Sequence, residues 1–319
     1  MVSMATAKTL LGTSIPRHKD KVVSAPVAFQ CGKADFILPR GDSNNVIWAG
    51  HEIPRHILKD CEHRNVAYRI EAACGSYTPL FKTLEDSTML KISEPNVDHS
   101  CRGPVLNVGG MKMHVSKGFT DTRDFSRLFA RGCGRGKIRS KALDNMNVLD
   151  LFFGLGISTG ECLAMGAKSV TAFERPYFQD IQNFVHSLCT PVAGVSRDRP
   201  LLPVSPNHDQ VLLRMCDVGK GSPSDVFDIL EGDGTMFDAV ILDPPKRLVM
   251  QKVYSKPFLD RLAQFINPGA IISCYAPDLD HSDVDSWSKE FLSTFLEGGY
   301  FRMVQAESPH VHITRFRRL

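Results

Sequence analysis

Asn147-Val-Leu-Asp150-Leu-Phe-Phe-Gly154-Leu-Gly156 is the stretch that decides the fold. An apolar run ends in a carboxylate, a Gly-x-Gly turn follows, and helix-forming sequence begins directly after it. This order marks the first strand-to-helix turn of a nucleotide-binding α/β sheet. Glycines let the backbone turn tightly and approach a ligand, and the free N–H groups of the next helix point at the same place. A blander reading has the glycines merely closing a turn over the core.

The kind of ligand follows from departures from the dinucleotide fingerprint. Thr159 stands where the third glycine belongs, and Asp150 at the strand end would oppose a pyrophosphate but suit an ammonium or sulfonium cation. That favours S-adenosylmethionine over NAD. Glu174 ends the next apolar run, Ser169-Val-Thr-Ala-Phe173, at roughly the 20-residue offset where an acid meets ribose hydroxyls. A third run, Phe237-Asp-Ala-Val-Ile-Leu-Asp243-Pro244-Pro245-Lys246, stops abruptly at two prolines. Proline after Asp243 holds that residue extended and ends the pairing there, which keeps its carboxylate at the crevice.

Asp150 to Gly156, Glu174, Asp217 in Leu213-Arg-Met-Cys-Asp217, and the Asp-Pro-Pro-Lys segment together resemble the successive motifs of class I S-adenosylmethionine-dependent methyltransferases. The resemblance implies that Gly154 and Gly156 face the methionine end, Glu174 the ribose, Asp217 the adenine amino group and Asp243 the acceptor. Val108-Gly-Gly-Met-Lys-Met-His114-Val-Ser-Lys117, Asp121-Thr122, the glycine turn, and Asp-Pro-Pro with Tyr254-Ser255 downstream narrow it. This series is similar to an archaeal-type methyltransferase family related to spermidine-synthase folds, over roughly residues 100 to 319. Lys246-Arg247 after the prolines and a long insertion at 190 to 208 depart from that family's pattern. Nothing in the N-terminal third carries a resemblance.

The expected architecture is therefore α/β: a class I methyltransferase Rossmann-like sheet closed by a C-terminal antiparallel hairpin, with a small N-terminal mixed or β-rich domain. Residues 1–20 are expected as a flexible tail, 21–110 as the cap and 111–319 as the catalytic domain. Val22 to Phe29, Val46 to Ala49, Val66 to Ile70 and Met89 to Ile92 are the short β-like runs of the cap. Phe119, Phe125, Leu128 and Phe129 fall near helical spacing and predict a helix beside the cofactor mouth. Residues 190 to 208, with Pro191, Pro200, Pro203 and Pro206, read as a loop. Tyr300-Phe-Arg-Met-Val304 and Val311-His-Ile-Thr-Arg-Phe316 lie too close together for a crossover helix, so they are expected to pair antiparallel.

Composition agrees with a cytoplasmic enzyme. The chain has 319 residues, 43% of them hydrophobic, enough for one large α/β core and a smaller domain. A net charge of +3 implies no strong polyanion partner. Nine cysteines, none in a Cys-x-x-Cys pair, argue against a disulfide framework and a zinc ribbon, and point to a reducing compartment. No apolar run approaches the roughly 18 residues of a membrane span. Residues 1 to 19 hold no acid and several Ser, Thr, Lys and Arg, which would also suit an organelle transit peptide.

Methyl transfer from a sulfonium needs positioning above all, with a base only where the acceptor must lose a proton. Asp243 is the candidate to orient or deprotonate an acceptor, or else it caps the turn that follows. Tyr177 would cover the adenine or the sulfonium by cation–π contact, or pack on the sheet. Tyr254 and Tyr275 are further candidates of that type. Ile272-Ser-Cys274-Tyr-Ala-Pro resembles the nucleophile segment of pyrimidine C5 RNA methyltransferases, where a thiolate adds to the ring. Cys274 also reads as a small apolar residue in a buried strand. His114, Lys117 and Asp121 would line the methionine side or serve as ordinary surface polar groups. His310 and His312 have no third partner in view, so no metal site is expected. Arg131, Arg135, Lys137, Arg139 and Lys141, with Arg315, Arg317 and Arg318, would bind phosphates or form a solvated basic face.

A small-molecule acceptor leads, since no RNA-binding module precedes the core. RNA or protein acceptors stay open. So does γ-carbon chemistry on S-adenosylmethionine that releases methylthioadenosine, as in azetidine-2-carboxylate synthases and spermidine-synthase-like transferases. A non-catalytic subunit that only keeps the fold is a fourth case.

Overall fold

A computed structural model describes residues 4–13, 21–27, 32–38, 44–48, 51–64, 68–71, 76–79, 81–83, 89–93, 105–108, 111–113, 119, 122–134, 142–174, 209–216, 218, 223–244, 253, 255–275, 293–304 and 313–319. The chain divides into two compact units, Met1–Asp124 with Leu188–Leu201, and Phe125–Ser187 with Leu202–Leu319.

The first unit is β-rich. Within the stretch expected as a flexible tail, α1 (Met4–Leu11) is a helix whose Ala7 and Leu10 are fully buried. Strands β1 (Lys21–Val27), β2 (Gly32–Leu38), β3 (Asn45–Trp48) and β4 (His51–Pro54) make an antiparallel sheet in chain order. Helix α2 (Arg55–Arg64) follows at once and packs on α1, with Leu58 and Cys61 buried three residues apart on one face and Arg55 donating to the Leu10 carbonyl at 3.4 Å. No helix is expected there from the sequence, because its apolar positions are few and lie among charges. Strands β5 (Tyr68–Glu71) and β6 (Ser76–Pro79) pair as a hairpin. A third sheet has the order β10 (Met111–Lys112), β9 (Val105–Val108), β8 (Met89–Ser93), β7 (Phe81–Thr83).

The second unit opens within α3 (Thr122–Gly132), where the phenylalanine spacing predicts a helix. Its seven-stranded sheet uses β11 (Asn147–Asp150), β12 (Ser169–Glu174), β13 (Val211–Met215), β14 (Phe237–Leu242), β15 (Ile266–Tyr275), β16 (Phe301–Val304) and β17 (Ile313–Arg318). The order is β13-β12-β11-β14-β15-β17-β16. The first five run parallel, and the middles of the central strands β11 and β14, Val148-Leu149 and Ala239-Val-Ile-Leu242, are apolar because helices cover both faces. On one face, α5 (Pro223–Asp233) and α6 (Lys256–Leu262) bury Val226, Phe227, Leu230, Phe258 and Leu262 against Leu149, Val240 and Ile272. The opposite face carries α4 (Ile157–Ala164), which packs on β11 and β12.

The predicted C-terminal hairpin is present: β17 pairs antiparallel with both β15 and β16, Met303 lying opposite Phe316. Its arginines are used in packing. Arg315 is buried and donates to the Leu128 carbonyl at 3.3 Å, and the Arg318 guanidinium lies 4.9 Å from the Tyr300 ring centroid. Among the described residues no helix is long and apolar enough to cross a membrane.

Candidate functional site

Strand order reverses between β11 and β14, each of which has its sequence neighbour on the far side. Open α/β sheets bind ligands at such a switch point, outside the carboxyl ends of the strands. Asp150, the last residue of β11, and Asp243, next after β14, flank it. The register sets Asp150 opposite Ile241, and the Leu151 N–H continues the ladder to the Ile241 carbonyl at 3.2 Å.

The glycine turn leaves β11 here. Gly154 has φ 53° and Gly156 φ 71°, both left-handed, which glycine adopts without Cβ strain. A Cβ on Gly156 would stand 2.7 Å from Phe153 Cζ, so the turn also closes on its own aromatic ring. Gly156 is the N-cap of α4, and its carbonyl accepts from the Gly160 N–H at 2.9 Å. Glu174 lies at the end of β12, and its Oε2 accepts from the Gly154 N–H at 2.7 Å. One carboxylate thus braces the turn from the neighbouring strand.

Asp150 is fully buried. Its Oδ2 accepts from Thr159 Oγ1 at 2.7 Å and its Oδ1 from the Phe152 N–H at 3.3 Å. Burial pushes its carboxyl up to about 6 despite these two donors. Asp243 keeps some surface exposure, yet the protein around its carboxyl and then the Asp150 charge push it up to about 7. Among the described residues no donor reaches the Asp243 carboxylate. Two like charges at adjacent strand ends therefore raise the electrostatic cost of the ligand-free site, a cost that a bound cation would relieve.

Cys274 sits across from Leu242 on β15, fully buried within the hydrophobic core. Burial, with Asp243 beside it, pushes the thiol well above its ordinary range. A thiolate forms at the cost of a third negative charge in this place. Tyr275 packs edge-on against Phe125, ring centroids 5.9 Å apart.

The structure thus brings Asp150, Gly154, Gly156, Glu174 and Asp243 to one end of the sheet. His114, Lys117, Tyr177, Asp217, Tyr254, His310 and His312 lie outside the described residues, as do 135–141 and 190–208. Among the described residues no cluster could hold a metal ion. Three participants are not announced by the sequence: Thr159, Arg127 and Glu161. Thr159 was visible only as a missing glycine, although a hydroxyl in the first turn of a helix is a ready donor to a strand-end acid. Arg127 and Glu161 form an ion pair at 3.0 Å across 34 residues of sequence, and no local pattern announces it.

No family model matches the chain, and no curated protein does. Solved structures do. A Streptococcus mutans protein assigned as a SAM-dependent methyltransferase has a TM-score of 0.45 at 13% identity, over 82% of this chain and 64% of that one. The present chain thus spans less than two thirds of that protein. MnmC2 from Aquifex aeolicus gives 0.46 at 14% identity over 72% of this chain and 70% of that one. Spermidine synthase from Thermotoga maritima gives 0.44 at 9%, over 80% and 78%. The parallel strands reversing at β11 and β14, closed by the antiparallel β17 and β16, make the sheet of this chain a Rossmann-like α/β sheet with a C-terminal antiparallel hairpin.

Proposed function

We propose that this protein is an S-adenosylmethionine-dependent methyltransferase acting on a small-molecule acceptor. The observation that carries the proposal is the pair of like-charged carboxyls, Asp150 and Asp243, flanking the switch point beside a left-handed glycine turn. A pyrophosphate would add negative charge to a site already raised by it; a sulfonium or ammonium cation would lower both carboxyls. The residues fit such a group. Bound here, S-adenosylmethionine supplies an electrophilic methyl on positively charged sulfur.

On this reading Gly154 and Gly156 admit the methionine end, with His114 and Lys117 beside it. Glu174 accepts from the ribose hydroxyls, Asp217 from the adenine amino group, and Tyr177 covers the cofactor. Asp150 holds the turn through Thr159 and Phe152 and contributes negative potential. Asp243 orients the acceptor and takes its proton, because the bound cation would bring its raised carboxyl down and leave it ionised at neutral pH. Cys274 acts as a buried apolar residue, since its surroundings oppose the thiolate that pyrimidine C5 chemistry needs. The enzyme works in the cytoplasm on this reading.

Asp243 also supports a second reading. A base able to keep the cofactor's own amine unprotonated would allow attack on the γ-carbon, with release of methylthioadenosine.

Two measurements test the proposal. Calorimetry with S-adenosylhomocysteine should give one site per chain, and its absence would remove the cofactor from the account. Incubation with S-adenosylmethionine alone should leave it intact, with S-adenosylhomocysteine accumulating only when a small-molecule acceptor is added. Prompt methylthioadenosine release without acceptor would establish the γ-carbon reading instead. Methylation of RNA lost in Cys274→Ser would establish the thiolate mechanism.

A further inference from the structure

Helix α3 is fastened to the sheet along its length. Phe125 near its start meets Tyr275 at the carboxyl end of β15, the Leu128 carbonyl accepts from Arg315, and Cys133 just past its end donates to the Val240 carbonyl at 3.4 Å. Between these ties, Arg127 reaches sideways to α4. Its Nε meets Glu161 Oε2 at 3.0 Å and its second terminal nitrogen meets Oε1 at 3.3 Å, a two-pronged pairing of guanidinium and carboxylate. Glu161 is buried and Arg127 is about one-third exposed. An exposed ion pair does little, but one that takes a carboxylate out of water is costly to leave unmatched, so its geometry is strongly held.

Helix α4 is short, Ile157–Ala164, and begins at Gly156 itself. Two residues before Glu161, Thr159 donates to Asp150. Moving Glu161 therefore moves the cap of the turn and the donor to the strand-end acid together. On the reading that this turn takes the cofactor, we infer that Arg127 and Glu161 are positioning residues, a clasp by which the sheet-anchored α3 holds α4 and the Gly154–Gly156 turn in the ligand-ready geometry.

The test replaces both members of the clasp, so that neither charge is left without the other. Replacing a buried pair by apolar residues of similar volume is often neutral or stabilising, so Arg127→Met/Glu161→Leu should keep its thermal midpoint or raise it. S-adenosylhomocysteine should nevertheless bind more weakly, by about tenfold, because the turn is no longer preorganised for it. The amides of α4 should exchange hydrogen faster in the ligand-free variant. Arg127→Lys, which keeps the charge but loses the fork, should fall between, and it serves as the test if the double variant does not fold. Affinity within about twofold of the unaltered protein in either variant would overturn the inference. If the unaltered protein does not bind S-adenosylhomocysteine, the cofactor reading fails separately, and unchanged α4 exchange in the double variant would then overturn the clasp.

Discussion

The two ends of the same parallel strands treat their polar groups in opposite ways. At the amino end, Asp238 of β14 accepts from the Asn147 N–H at 3.1 Å and from Asn267 Nδ2 at 3.1 Å, while Ser169 donates to Asn147 Oδ1 at 2.9 Å. Four strands, β12, β11, β14 and β15, are stitched together there by groups that satisfy one another. At the carboxyl end, Asp243 of the same β14 run faces Asp150 and finds no described donor. Both carboxylates belong to one short segment, so its composition cannot explain the difference. The amino end pairs its charges, whereas the carboxyl end, which also supplies donors to Asp150 and Glu174, leaves Asp243 to be completed from outside, as a ligand site would.

The largest effect should come from breaking the carboxyl end. Asp243→Ala is expected to lower turnover by roughly 10²–10⁴-fold, the usual contribution of a positioned base. Cofactor affinity should stay within about threefold, because a group acting in the transition state leaves ground-state binding nearly unchanged. Steady-state rates beside calorimetric titration separate the two, and an equal loss in both would turn Asp243 into a cofactor ligand.

Next is Glu174, which belongs to the carboxyl end but has a donor in Gly154. Glu174→Ala should cost on the order of 1.5–3 kcal/mol of S-adenosylhomocysteine binding, the worth of a hydrogen bond to a charged group. Unchanged calorimetric affinity in a folded variant would leave Glu174 as a brace for the turn and nothing more.

The contrast between the ends also has a pH signature. Asp150 and Asp243 are raised to about 6 and about 7 from an ordinary 3.8, so the folded protein holds protons that the unfolded chain releases. Stability of the ligand-free protein therefore falls as pH rises from about 4 to about 7, and the full penalty persists above that. Asp243→Asn removes one of the two charges and, among the described residues, no hydrogen bond. It should stabilise the ligand-free protein by roughly 1–3 kcal/mol at pH 8 and by much less at pH 5, where the native carboxyl is already protonated. Thermal unfolding at the two pH values reads this, and a variant less stable at pH 8 would show that Asp243 is already matched by a cation.

What could be read from the sequence follows from how local each cause is. The parallel strands are apolar runs stopped by an acid, and the glycines after β11 need their own φ, so Asp150, Gly154, Gly156, Glu174 and Asp243 could all be placed together. The hairpin was legible because its two strands lie too close for a crossover. Other features depend on pairing across the fold. Arg127 meets Glu161 only because α3 lies beside α4, and Arg315 is buried only because β17 sits inside the sheet. Helix α2 hides its few apolar residues among charges, and α1 is too short to show a period.

The smallest effect should lie at the amino end, and it decides whether the contrast is real. Asp238→Ala removes the acceptor shared by the Asn147 N–H and the Asn267 amide, both only partly buried, so water can replace some of what is lost. A loss of about 1–2 kcal/mol of unfolding free energy is expected, as for one or two hydrogen bonds of modest net worth. Affinity for S-adenosylhomocysteine and turnover should not change, because the affected ladder lies at the opposite end of β11 from the glycine turn. Asp238→Asn should recover part of the loss, since its amide oxygen can still accept from Asn147. Denaturant unfolding and calorimetry on the same preparations provide the comparison. If Asp238→Ala weakened ligand binding as much as Glu174→Ala does, the two ends would be coupled through the sheet, and the division between a paired end and a ligand end would have to be abandoned.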